Sequence, residues 1–259
     1  MIAALVTEAM KARRSHMPWM TAVAFTVVAL VGGMFMFILQ DQDRARSLGL
    51  IGTKAALAGG QADWPTYLAF LSQSTAIGGM IVFGMVSVWT FGREYSQNTV
   101  KDLLALPTSR VVIVAAKFAV TTAWCLVLTT QLFLLGLATG SLLGLPGWSA
   151  AVVLTGLVRV AVVALMTIVL TTPVALAACV GRGYLPGVGV MIMAVFCAQI
   201  VAALGYGEFF PWSVPAVLSG LAGPDQPAPG LVGNGLVLLV GTAGVVATAM
   251  WWRQADHDR

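Results

Sequence analysis

Residues 111–143 read VVIVAAKFAVTTAWCLVLTTQLFLLGLATGSLL, a run interrupted by one charge, Lys117. A helix needs roughly 20 apolar residues to cross the ~30 Å hydrocarbon core of a bilayer, so this run spans it with turns to spare. The rest of the chain agrees. Of its 259 residues 59% are hydrophobic and 9% charged, and the mean hydropathy is +0.90. A soluble chain of 27.1 kDa would need a charged shell that 14 Lys plus Arg and 10 Asp plus Glu cannot supply. Lipid is the solvent that suits this surface, which excludes a soluble globular enzyme; the apolar content also excludes a disordered chain.

Working outward, five more runs meet the same criterion: 19–39, 66–91, 150–180, 185–204 and 231–252. The first is too long for a removable signal peptide and no small-residue cleavage site follows it, so it reads as a permanent helix. With the N-terminus inside, Lys11, Arg13, Arg14, Arg93, Lys101, Arg110, Lys117, Arg182, Arg253 and Arg259 fall on the cytoplasmic side. Only Arg44, Arg46 and Lys54 fall outside, and Arg159 lies in span four. This bias places both termini in the cytoplasm, and six spans agree, since an even number returns the chain to its starting side. The external loops 40–65 and 205–230 are too short to fold alone. The expectation is an all-α polytopic membrane protein with one membrane domain over 1–259. Cys125, Cys179 and Cys197 sit in apolar stretches without metal or redox spacing, so they read as small hydrophobes and no metal site is expected.

Two segments have helical periodicity without being spans. In 1–17, Ile2, Leu5, Val6, Ala9 and Met10 form an apolar face opposite Thr7, Glu8, Lys11 and Arg14, the pattern of an amphipathic interfacial helix that Pro18 separates from the first span. In 93–106, REYSQNTVKDLLAL, one side carries Tyr95, Thr99, Val100, Leu103 and Leu104. The other carries Glu94, Gln97, Asn98, Lys101 and Asp102 and is expected to face the cytosol. Pro107 ends this helix, and Thr108 or Ser109 caps the next span.

Polar groups inside the spans are few. Arg159, alone in lipid, would cost about 2.5–3.5 kcal/mol on insertion scales; it either lines the outer part of a cavity and meets an anionic substrate group or lipid head, or it snorkels outward or pairs with Glu208 or Asp225. Gln73, Ser74, Gln131 and Gln199 either hydrogen-bond between helices or line a path. Gly136, Gly140 and Gly144 permit close helix approach, and Pro173 kinks span four. Intramembrane hydrolysis is excluded: His16 and His257 lie at cytoplasmic ends, no H-E-x-x-H or G-x-S-x-G occurs, and no carboxylate falls within the spans as bounded above. No G-x-x-x-x-G-K-[ST] loop is present, so energy comes from a partner or an ion gradient.

The run Glu94-Tyr95, Asn98-Thr99, Leu103 to Arg110 and Lys117 resembles the segment joining the second and third helices of ABC-2-type transporter permeases. So does the Glu8, Lys11, Arg14 pattern before the first span. Six spans and Phe210-Pro211-Trp212-Ser213-Val214-Pro215 before the last one are similar to the bacitracin and lantibiotic immunity branch. The resemblance implies an exporter subunit in a bacterial inner membrane, moving an amphipathic or hydrophobic antibiotic, peptide or lipid-like substrate. It implies a second copy of the chain and two ATPase subunits that carry ATP and Mg, with no cofactor on this chain and no nucleic-acid partner. Residues 93–106 become the coupling helix, with Glu94, Tyr95, Asn98, Thr99, Lys101, Asp102 and Leu103 contacting or shaping the ATPase interface. Arg110 and Lys117 anchor the base of span three to headgroups. Gln73, Ser74, Gln131, Arg159 and Gln199 are candidates for the translocation path, and Phe210, Pro211 and Trp212 for an external lid. Asn98 stands where that family often has glycine. Glu94→Lys is expected to uncouple transport while leaving the fold intact. An ion-coupled carrier and a non-transport scaffold are the alternative functions.

Overall fold

A computed structural model describes residues 1–41, 49, 61–104, 108–221 and 229–254. Arg44, Arg46, Lys54, Asp225, His257 and Arg259 lie outside the described residues, as do Ala105, Leu106 and Pro107 of the expected coupling helix. All regular structure among the described residues is helical. The spans are α2 (Met17–Gln40), α3 (Trp64–Ser96), α5 (Arg110–Leu142), the pair α6 (Ala150–Leu170) and α7 (Thr172–Val180), α8 (Tyr184–Ala203) and α10 (Leu231–Gln254). Each is long and apolar enough to cross a membrane. Three short helices accompany them: α1 (Ile2–Arg13), α4 (Val100–Leu104) and α9 (Val214–Leu218).

Local chemistry sets the boundaries. Met17 and Pro18 open α2 after the break that follows Arg13, because Pro fits the first helical turn, where no N–H partner is needed. The Asp63 carboxylate caps α3 by accepting from Thr66 N at 2.9 Å, and Ser109 caps α5 by accepting from Val112 N. Pro173 removes a backbone donor, which divides span four into α6 and α7. The break is fully bonded. Val169 O, the acceptor that Pro173 leaves unused, lies 2.9 Å from Thr172 Oγ1, and that hydroxyl also lies 2.8 Å from Gly241 O of α10. Trp212 Nε1 donates to Leu170 O, and Thr171 accepts from Ser87 Oγ of α3.

The central helix is α3, which is contacted by α2, α5, α6, α7 and α8. Phe25, Tyr67, Leu71, Phe83, Leu128 and Leu132 fill the main core around it. Two of the small-residue positions in span three explain how α5 comes so close: a Cβ on Gly136 would meet Leu71, and one on Gly140 would meet Trp64. Outer faces are apolar, with Val27, Leu30 and Met34 of α2 and Leu238 and Leu239 of α10 exposed, as a lipid-facing perimeter demands.

Candidate functional site

At the cytoplasmic end, four charges from three helices meet. Lys117 lies two turns into α5 and is fully buried. An ammonium has three N–H donors, and this one finds three acceptors: Thr90 O at 2.8 Å, Glu94 Oε1 at 2.8 Å and Glu8 Oε2 at 3.1 Å. Lys11 closes the ring from the other side, 2.7 Å from Glu8 Oε1 and 3.0 Å from Glu94 Oε1. Glu8 is 6% exposed and Glu94 3%, so both carboxylates are removed from water and balanced by the two ammoniums. Burial opposes the charge on Lys11, but hydrogen bonding to Glu8 and the fields of Glu94 and Glu8 prevail and hold its pKa above the ordinary lysine value.

This arrangement corrects several sequence expectations. Glu8 and Lys11 face the protein, and it is Ile2, Val6 and Met10 that remain exposed, the face an interfacial helix turns to lipid. Lys117 does not reach headgroups, because its ammonium is enclosed by the ring. Arg110 donates to Trp252 O and Arg253 O, capping the end of α10 rather than pointing at lipid. Helix α3 extends through Ser96, so a carboxylate does lie in a spanning helix, and Glu94 turns inward rather than to the cytosol. A lysine at position 94 would confront Lys11 and Lys117 in a buried site. Glu94→Lys therefore attacks the fold, contrary to the expectation that it acts on coupling alone.

The expected helix 93–106 is two pieces. Helix α3 ends in a left-handed residue: Asn98 has φ 56°, Thr99 N donates to Glu94 O and Asn98 N to Tyr95 O. Asparagine tolerates that conformation, so it performs the turn for which glycine was expected. The chain then restarts as α4, with Val100 buried and Leu103 half-buried against the base cluster of Phe91, Ile113 and Trp252. Asn98, Thr99, Lys101 and Asp102 are exposed. Tyr95 is half-buried, its ring set edge-on to Trp252 at 6.2 Å. Arg93 stacks over Trp89, donates to Gln97 Oε1 and reaches Lys11 O at the end of α1. Between these pieces lies an open groove of about 410 Å³ whose walls include Thr7, Lys11, Gln97, Thr99 and Asp102.

The remaining candidates are dispersed. Gln131 donates to Ala22 O and Thr26 Oγ1 of α2, a helix-to-helix tie. Gln73 and Ser74 are half-buried on α3. Gln199 is exposed at a cavity of about 280 Å³ between α3, α8 and α9. Phe210, Pro211 and Trp212 form a packed segment rather than a loose loop: Pro211 is buried, the rings of Phe210 and Trp212 are 5.5 Å apart, and Ser213 Oγ donates to Ala198 O. Arg159 is exposed and has no ion pair or hydrogen bond among the described residues, Glu208 included.

The partnership of Glu8 with Lys117 is what sequence reasoning missed. Its signal was present: a lysine well inside a span demands a counter-charge, and Glu8 and Glu94 are carboxylates close to the same membrane face.

Two comparisons bear on this geometry. The family model described as ABC-2 family transporter protein matches residues 4–198, a stretch that holds the whole charge ring and Arg159. The bacitracin transport permease protein BCRB of Bacillus licheniformis is 25% identical over 181 residues, covering 69% of this chain and 85% of that protein.

Proposed function

The chain belongs to the ABC-2 transporter family, as a multi-pass membrane subunit, and from that premise we propose that it works in an exporter driven by a separate ATPase chain. The substrate is an amphipathic or hydrophobic antibiotic, peptide or lipid-like molecule; similarity to a bacitracin transport permease supports that class. The complex resides in a bacterial inner membrane and includes a second copy of this chain. ATP and Mg are held by the partner.

One observation carries this reading: α4 is seated on the base through Leu103, with Val100 buried, while Asn98, Thr99, Lys101 and Asp102 face outward. It follows directly after the end of α3 that Lys117 locks to α1. A force applied to α4 by an ATPase therefore reaches α1, α3 and α5 together, since buried ion pairs shared among three helices resist being pulled apart. Glu94 and Tyr95 shape this surface from behind, and Asn98, Thr99, Lys101 and Asp102 meet the partner. The path runs through the cavity walled by Ala76, Met80, Ala198 and Gln199, closed at its outer end by the Trp212 segment.

The test is Asp102→Arg, an exposed charge reversal that leaves the base intact. Expected are loss of the co-purifying ATPase, or ATP hydrolysis no longer tied to transport in vesicles, with unchanged thermal unfolding. Coupled transport at the wild-type rate would remove α4 from the interface. Transport that needs an ion gradient but no ATP would establish the carrier reading instead.

A further inference from the structure

We infer that Arg159 and the groove beside it form a binding site for an anionic phospholipid of the outer leaflet. The groove, about 280 Å³, runs between α3 and α6 and is walled by Pro65, Leu68 and Ala69 on one side and by Val152, Thr155 and Arg159 on the other. Its floor is fixed by a close approach: a Cβ on Gly156 would meet Leu68 Cδ1 at 2.8 Å, so the two helices touch there. All walls but Thr155 and Arg159 are apolar, and no carboxylate is among them.

Depth places the guanidinium at the headgroups. Trp148, exposed just before α6, sits edge-on against the buried Trp64, ring centres 4.7 Å apart, and an exposed indole at a helix end marks a membrane interface. The count of basic residues makes this the outer one. The span Ala150–Val180 has 31 residues. Along α6 and α7 together that is at most about 46 Å of helix against a ~30 Å hydrocarbon core, so up to about 8 Å projects at each side. Arg159 follows Ala150 by about 14 Å of helix, which sets its Cα at least about 6 Å beneath the boundary. An extended arginine covers that distance by snorkelling along the groove.

The ligand class follows from the charge and the walls. A guanidinium at the headgroup level, facing the perimeter and unneutralised by the protein, fits a phosphate through paired N–H donors. An apolar trough beneath it accepts acyl chain. The site opens to the perimeter through exposed Thr155 and Arg159, and none of its walls belongs to the cavity at Gln199, so its occupant comes from the bilayer. The inference rests on the membrane-spanning architecture and is independent of the direction of transport.

The experiment is native mass spectrometry of the full-length protein extracted from vesicles of equal phosphatidylglycerol and phosphatidylcholine, counting the lipid retained. Wild type is expected to keep phosphatidylglycerol in preference. Arg159→Leu is expected to lose that preference roughly tenfold, the scale of one charge-assisted interaction, and Arg159→Lys to lose part of it. Thr155→Trp, which fills the groove and keeps the charge, is expected to lose retention of both lipids. The same thermal midpoint in all four proteins shows that folding is not the cause. Undiminished phosphatidylglycerol on Arg159→Leu overturns the site, and undiminished retention on Thr155→Trp overturns the groove. If an anionic amphipathic peptide displaces the lipid and is exported by wild type but not by Arg159→Leu, the site belongs to cargo and the lipid assignment falls.

Discussion

Lys117 and Arg159 are both cations on membrane-spanning helices, and the protein treats them in opposite ways. Lys117 is wholly enclosed, with each N–H matched to an acceptor and two carboxylates matched to two ammoniums. Arg159 is exposed and unpaired among the described residues. The difference lies in what each end of the molecule requires. At the base, three helices from distant parts of the chain have to move as one, and a shared ion ring fixes their register, since any displacement strands a charge away from water. At the perimeter nothing has to be held, and a single cation there serves what arrives from the bilayer.

The sharpest way to break this contrast is Lys117→Met. It leaves Glu8 and Glu94 facing each other with only Lys11 between them, an uncompensated buried charge that costs about 3–5 kcal/mol. The expected result is a thermal midpoint far below wild type, or loss of folded protein from the membrane. Adding Glu94→Gln restores neutrality and recovers most of that loss. If Lys117→Met unfolds like wild type, the ring is not a structural element.

Next in size is Glu8→Gln, which weakens the hold on α1 while leaving Glu94 to satisfy Lys117. About 1–3 kcal/mol is expected, concentrated in α1, so hydrogen exchange should rise in Ile2–Arg13 and not in α5. Smaller still is the response to pH. Because the folded-state pKa of Lys11 lies above the ordinary 10.5, its contribution is fully present below that value and fades only as pH rises past it. Exchange in α1 should therefore be unaffected by Lys11 titration between pH 7 and pH 9. A Lys11-dependent release of α1 in that interval would contradict the ring.

Most of the architecture was legible because span length is set by the bilayer, and apolar runs report it directly. The cap of the third span was legible too, as Thr108 or Ser109, and the structure uses Ser109, because capping follows from local chemistry. The base was harder. Periodicity laid Glu94 and Asp102 on one polar face, but the chain reverses hand at Asn98, so the two residues belong to different helices and face different ways. Helical periodicity carries no information across such a break. The partners of Glu8 were not legible for a related reason: an amphipathic pattern separates two faces but does not say which one meets the protein, and here the polar face does.

The smallest expected effect is the most discriminating. Arg159→Leu exchanges an exposed, unpaired cation for an apolar side chain on a lipid-facing helix, so stability should stay within about 0.5 kcal/mol of wild type. Combined with Lys117→Met, its effect should simply add, since the two residues share no partner. A coupling between them larger than the error of the cycle would mean that the two ends of the protein are energetically joined through α3, the helix both regions touch. The lone arginine would then belong to the same mechanical unit as the buried ring, and its exposure would mark one state of a moving molecule instead of a lipid seat. Additivity leaves the division as drawn: a rigid, charge-locked base for transmitting force, and a passive perimeter where Arg159 answers to the membrane.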